Sequence, residues 1–475
     1  MGSNVKNVLA SRYASNEMVS IWNEEGKILL EREFWIAVMK AQKELGVNVP
    51  FEAIESYEKV KNKIDPQSIT NREKTLRHDV KARIEEFCAL AGYEHIHKGL
   101  TSRDLTDNVE QYQVMKSLKI IKLKVMKALS LFAEKASEYK DLVIAARTHN
   151  VTAQPTTLGK RLSCFGEELL LALHKLDDLI VSYPLRGVKG AVGTVLDLKT
   201  IFNNDSEKVK MFQTKIARYL GFENVMNAVG QVYPRSLDFD VVAVLHRIGS
   251  APSSFCKTLR LMAGHELVSE GFQKGQVGSS AMPHKMNSRN CERLNGFFVL
   301  LSGYLDMASR LSGDQWNEGD VSCSVVRRVM LPDSFFALDG LLDTLITILN
   351  EMAVFKNMID LETKKNLPFL VTTTLLMEAV SSGIGREKAH EIIKKHSINV
   401  INDLRSGKIS ENDLMNRLAL DSEFPMDKEK LDLFMKNTGN YLGEALIQVD
   451  VFCNSIRQIE NNYPEIKTYT PQKLI

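Results

Sequence analysis

Apolar residues recur along much of this chain at alternating steps of three and four. From Val114 they continue at Leu118, Ile121, Val125, Ala128 and Phe132, the spacing of a coiled-coil seam, because side chains three and four apart share one helix face. The rhythm returns at Leu158, Leu162, Phe165, Leu169, Ala172, Leu176 and Leu179, at Leu294, Phe297, Leu301, Tyr304, Ala308 and Leu311, and at Leu338, Leu342, Leu345, Leu349 and Met352. Residues 237–270 are also helical in character, with Gly249, Ser250 and Pro252 expected to bend or interrupt the helix. After the polar stretch 313–324, Pro332 is expected to restart one. Runs of alternating valine and isoleucine bounded by turns are missing, so strands are not expected. The pattern predicts an all-α fold of three helical domains, at 1–110, 111–360 and 361–475, the central one a long-helix bundle. Helices of about 25 residues run near 40 Å, and burying more than one apolar stripe on each calls for bundles from several chains in a common core.

Composition narrows the function classes. The 475 residues carry 44% hydrophobic and 25% charged side chains, and 61 basic against 59 acidic groups leave a formal charge of +2. That balance excludes a general nucleic-acid or membrane-surface binder, so any anionic ligand has to be met by local clustering. The start of the chain lacks the apolar core of a signal peptide, and no apolar run approaches the roughly 18 residues that cross a bilayer. The expected location is the cytoplasm. Cys88, Cys164, Cys256, Cys291, Cys323 and Cys453 are scattered with no CxxC spacing, which argues against a disulfide framework and against a zinc site.

The densest candidate chemistry is GSSAMPHKMN at 278–287. Ser279, Ser280, Lys285 and Asn287 offer two hydroxyls, an ammonium and an amide on a backbone hinged by Gly278 and stiffened by Pro283, a combination suited to gripping a carboxylate. Other clusters are more ambiguous. Arg77, His78 and Asp79 suit either a site or a surface ion pair at a helix start. His95 and His97 lack a third ligand at metal-binding spacing, whereas Thr101 and Ser102 offer hydroxyls to an anion at a helix start. His149, in ARTHNVTAQPTTLGKR, occupies a polar loop leading to a heptad helix, a position where a lone histidine is usually solvated. Arg327 and Arg328 suit a solvated helix face. The glycine-rich GAVGT loop lacks both the GxxxxGK[ST] pattern and a preceding strand, which argues against a triphosphate cradle.

The 278–287 loop resembles the GSSxMPxKxN signature of the fumarase/aspartase superfamily, lyases that expel fumarate from substituted succinates. The chain further resembles the adenylosuccinate lyase branch, through Arg12-Tyr13, RHD at 77–79, HxGxTSxD around Thr101 and Ser102, THNVTAQPTT, GQVYPR with Gln231, Arg293, and Ser324 to Arg328. The resemblance implies elimination of fumarate from adenylosuccinate, giving AMP, and from SAICAR, giving AICAR, without metal or organic cofactor. It implies Ser279 as base and His149 as acid. Ser280, Thr101, Ser102 and Gln231 would orient the succinyl part, with Lys285 and Asn287 stabilising its charge. Arg12, Tyr13, Arg293, Ser324 and Arg328 would hold the nucleotide, with Arg77, His78 and Asp79 in support. A homotetramer with each active site built from three chains is also implied, with neither nucleic acid nor membrane as partner. Gly319 departs from the branch, which often has arginine in that WxERD segment, and Ser288 stands where proline usually follows the loop asparagine. Another fumarate-releasing lyase, such as argininosuccinate lyase, and a non-catalytic structural homologue are the alternatives.

Overall fold

The computed structural model describes residues 6–271, 281–282, 284–436 and 438–472. Five long helices dominate it: Ser102–Glu138, Leu158–Ser182, Ser236–Gly264, Arg289–Leu311 and Ser324–Glu351. Taken in chain order, each packs against the next, and the last returns to the first, closing a five-helix ring. The expected seams face inward. Val114, Leu118, Ile121, Val125, Ala128 and Phe132 are buried, as are Leu338, Leu342, Leu345 and Leu349, so the three-four spacing does set the buried stripe.

One expectation about proline is narrowed, since interruption is excluded, and another is corrected. The 236–264 helix runs uninterrupted through Gly249, Ser250 and Pro252 but stops at Gly264, and the 324–351 helix starts before Pro332 and passes through it. An interior proline costs about 3 kcal/mol. Both are carried by helices whose flanking turns bury large apolar faces, including Ile248, Phe255, Leu331 and Phe335, and burial of a few such side chains outweighs that cost.

The all-α class holds, with two small exceptions that the pattern did not predict. Val143–Thr148 and Val151–Thr157 form an antiparallel hairpin, and Val268–Ser269 pairs with Ala353–Val354. The first exception matters because its two-residue turn is His149-Asn150, with φ of 50° and 61°. Positive φ at both positions is the geometry of the tight hairpin turn that asparagine tolerates.

The first hundred residues contribute shorter helices and one of 21 residues, Glu24–Glu44, which packs on the 102–138 helix. Leu367 to Leu431 build a second apolar core of their own. The helix Ala445–Asn462 then returns to the main core through Val449, Phe452 and Ile456. Among the described residues no helix is long and apolar enough to cross a membrane.

Candidate active site

Thr101 caps the longest helix. Its backbone N–H donates to Asp104 Oδ2 at 2.8 Å, and the Asp104 N–H donates back to Thr101 Oγ1 at 3.3 Å. Two of the donors that the helix start would leave unpaired are thereby satisfied. Ser102 begins the helix half-buried, and its hydroxyl makes no hydrogen bond among the described residues. A free hydroxyl at the positive end of a 37-residue helix suits an anion.

Behind this cap lies an acidic ladder that the sequence reading missed. Asp104, Asp107 and Glu110 sit three residues apart on one face, and each receives an arginine from a distant segment. Asp104 Oδ1 accepts from Arg186 Nη1 at 2.8 Å and from the backbone N–H groups of Lys189 and Gly190 at 2.7 and 3.1 Å. Asp107 takes Arg235 at 3.3 Å and Arg103 at 3.2 Å, and Glu110 takes Arg327 at 2.6 Å. Arg327 also binds Asp238 at 2.6 Å and the Tyr233 hydroxyl. Arg327 is therefore buried and structural, while Arg328 beside it is exposed. The available signal was the i, i+3, i+6 carboxylate spacing at the start of an apolar helix, a face that folding has to compensate.

The ladder positions Gln231. Arg186 Nη2 donates to the Gly230 carbonyl at 3.0 Å, and the Gln231 N–H donates to the Glu318 carbonyl at 2.5 Å. Thr101, through Asp104 and Arg186, and Gln231 are thus tied to one hydrogen-bonded network, with Ser102 and Gly319 beside them in sequence. The departure at Gly319 has a steric basis: a Cβ there would lie 2.8 Å from both Cβ and Oε1 of Gln231, so any larger residue displaces Gln231.

The remaining candidates form smaller groups. Tyr13 packs edge-on against Phe297, with ring centroids 5.1 Å apart, and the Arg293 guanidinium lies 5.7 Å from the Tyr13 ring centroid. Arg12 ends the short helix Val8–Arg12, exposed. Ser324 and Arg328 are one helical turn apart. Arg77, with φ of 52°, ends the helix Pro66–Leu76 and lets His78 cap the next, Asp79–Ala91, where His78 Nδ1 accepts from the Lys81 N–H at 3.2 Å. Asp79 pairs with Arg83 at 3.0 Å, so the ion pair at this helix start uses Arg83 in place of Arg77.

His95 and His97 are each engaged by another side chain. His95 Nδ1 meets Lys98 Nζ at 2.7 Å, and His97 Nδ1 accepts from Trp35 Nε1 at 3.1 Å. Burial lowers His97 to about 4, with the Lys81 and His78 charges adding to the shift and Asp104 opposing it. Those charges place the RHD block within electrostatic reach of the Thr101 segment.

Lys285 and Asn287 are described, whereas Ser279 and Ser280 lie outside the described residues. The Lys285 N–H donates to the Met282 carbonyl at 3.0 Å, and the buried Glu270 carboxylate accepts from the N–H groups of Asn290 and Cys291, both at 2.9 Å. Glu270, which the sequence did not single out, ties residue 270 to the start of the 289–311 helix. His149 stands apart. It is exposed at the hairpin tip, and no hydrogen bond or ion pair among the described residues joins it to the other candidates. The hairpin is braced on the helix Lys356–Leu370 through an Arg147–Glu362 ion pair.

Comparison with known proteins identifies the family and the fold. The family model described as "Lyase" matches residues 11–302, and that described as "Adenylosuccinate lyase C-terminus" matches 368–452. The fold resembles the 3-carboxy-cis,cis-muconate lactonizing enzyme of Pseudomonas putida, with a TM-score of 0.79 at 18% identity over 95% of this chain and 99% of that one. It also resembles a fumarate lyase from Mesorhizobium sp. BNC1, with a TM-score of 0.78 at 18% identity over 93% and 98%. The helical ring and these matches define a lyase of the fumarase/aspartase class. The adenylosuccinate lyase of Schistosoma mansoni is 34% identical over 460 residues, 95% of this chain and 94% of that one, and that of Saccharomyces cerevisiae is 34% identical over 453, 94% and 93%. Within the class, this chain belongs to the adenylosuccinate lyase family.

Proposed function

We propose that the chain catalyses reversible anti elimination of fumarate from adenylosuccinate, releasing AMP, and from SAICAR, releasing AICAR. The observation that carries this reading is end-to-end similarity to adenylosuccinate lyases, over 94–95% of this chain. In the reaction a base removes the proton on the carbon β to the leaving nitrogen. The electron pair is delocalised into the adjacent carboxylate, then forms the double bond as the carbon–nitrogen bond breaks, and an acid protonates the departing nitrogen. Ser279 is the base, its hydroxyl ionised in a cationic, water-poor setting, and His149 is the acid. Lys285 and Asn287 stabilise the dianionic intermediate. Ser280, Thr101, Ser102 and Gln231 orient the succinyl group. Arg12, Tyr13, Arg293, Ser324 and Arg328 hold the nucleotide and its phosphate, with Arg77, His78 and Asp79 in support.

We further propose a cytoplasmic homotetramer with each active site drawn from three chains. Support comes from apolar side chains left exposed on the long helices, among them Leu171, Leu261, Val299, Leu300, Val325 and Val329, because such a surface marks an interface. The exposure of His149 at a hairpin tip, where another chain could reach it, is consistent with shared sites. The separate core at 367–431 supports a C-terminal domain beginning near residue 361, with the remaining boundary near 110. Fumarate release from adenylosuccinate, followed by its ultraviolet absorbance, tests the function. Release from argininosuccinate in its place overturns it.

A further inference from the structure

Lys189 is 5% exposed, and its amine makes no hydrogen bond or ion pair among the described residues. The other deeply buried cations among the described residues, Arg32, Arg186, Arg235, Arg327 and Lys124, each hold a carboxylate. An unpaired buried ammonium is costly, and burial, with the Arg186 charge adding to it, lowers Lys189 to about 8.

Lys189 lines a cavity of about 760 Å³, within the size range of small-molecule sites. Lys199 and Lys210 line it too, against the single carboxylate of Glu223, so three lysines less one glutamate leave two positive charges. Lys199 is engaged with the Asn204 carbonyl and Ser206 Oγ, both at 2.7 Å, whereas the exposed Lys210 amine has no partner among the described residues. Val209, Val225 and Met226 supply an apolar wall. Two uncompensated charges match a dianion better than a monocarboxylate, and a phosphomonoester carries about −1.5 to −2 at neutral pH.

We propose that this cavity binds a small phosphomonoester with an apolar or aromatic body, its phosphate against Lys189 and Lys210 and its body against Val209, Val225 and Met226. An occupant bears on the succinyl-binding residues. The Lys189 N–H is bonded to Asp104, and Gly193, also lining the cavity, sits so close to the 229–230 segment that a Cβ would approach the Val229 carbonyl oxygen to 2.2 Å.

The test titrates phenyl phosphate calorimetrically into the full-length protein without nucleotide, because AMP is itself an aromatic phosphomonoester and would compete for this cavity. A separate assay of fumarate release from adenylosuccinate reports on the proposed catalytic site, which keeps failure of the functional reading distinguishable. Binding of phenyl phosphate is expected with proton uptake near pH 8, read from buffers of different ionisation enthalpy, because a bound dianion restores the Lys189 charge. Lys189→Met removes the uptake, and Lys210→Gln, at an exposed position that leaves folding intact, weakens binding about tenfold, equivalent to about 1.4 kcal/mol. Absence of binding at millimolar phenyl phosphate, binding without proton uptake, or binding unchanged by Lys210→Gln each overturns the proposal.

Discussion

A base and an acid that serve one elimination fail separately. Ser279→Ala and His149→Gln are each expected to lower single-turnover fumarate release by about a hundredfold or more while calorimetric binding of AMP with fumarate persists, because neither change removes a cationic contact. His97 has a different consequence. It is held neutral in the folded protein, lowered by burial from 6.5 to about 4, while the unfolded chain takes up a proton near the ordinary value. Its contribution is present above pH 6.5 and is lost as pH falls toward 4, by about 2–3 kcal/mol. Urea unfolding across that range should show His97→Asn losing less stability than the parent, with asparagine chosen because His97 has φ of 63°. The candidate residues were largely legible because their types announce chemistry within a few positions. Glu270 was not, because its partners, the N–H groups of Asn290 and Cys291, lie 20 and 21 residues on.

The helices are joined by more than apolar contact. Lys124, fully buried on the 102–138 helix, reaches Asp339 at 2.6 Å and Asp343 at 2.9 Å on the 324–351 helix, while Asp339 also accepts from the Ser15 N–H at 2.6 Å. Lys124→Met leaves two carboxylates buried without their cation and is expected to cost about 3–5 kcal/mol in urea unfolding, with part of the loss recovered when Asp343→Asn is added. The long helices were readable because three-four spacing is local and repeated. The hairpin was not. VIAART and VTAQPTT are short, their polar residues are dispersed, and the turn His149-Asn150 lacks the glycine that makes such turns conspicuous. Reading His149 as part of a loop therefore missed the rigid mount, braced on the 356–370 helix, that fixes its place.

For the molecule as a whole, the proposal that each active site draws on several chains carries a direct expectation. When inactive His149→Gln and Ser279→Ala proteins exchange subunits under mild denaturant, about one site in four regains both residues if mixing is random and equal. Fumarate release should reappear from two dead preparations. Silence after exchange verified by mass spectrometry would place both residues in a single chain's site and sink the shared-site proposal. The 445–462 helix, which the sequence reading assigned to a C-terminal domain, rejoins a core begun hundreds of residues earlier, through Phe452 against Gly166, a contact that no local pattern announces. The acidic ladder also bears on the order in which this protein can be made. Asp104, Asp107 and Glu110 leave the ribosome early, but their counterions follow at 186, 235 and 327. A nascent chain halted at residue 320 holds Glu110 and Asp238 without Arg327, and bare carboxylates resist burial. Such an arrested chain is expected to be cut by protease within the 102–138 segment, and release of about forty more residues beyond the halt, enough to complete the 324–351 helix, to confer protection. The first turns of the longest helix are thus among the earliest residues synthesised and among the last to settle, so a truncated messenger yields a chain unable to bury them.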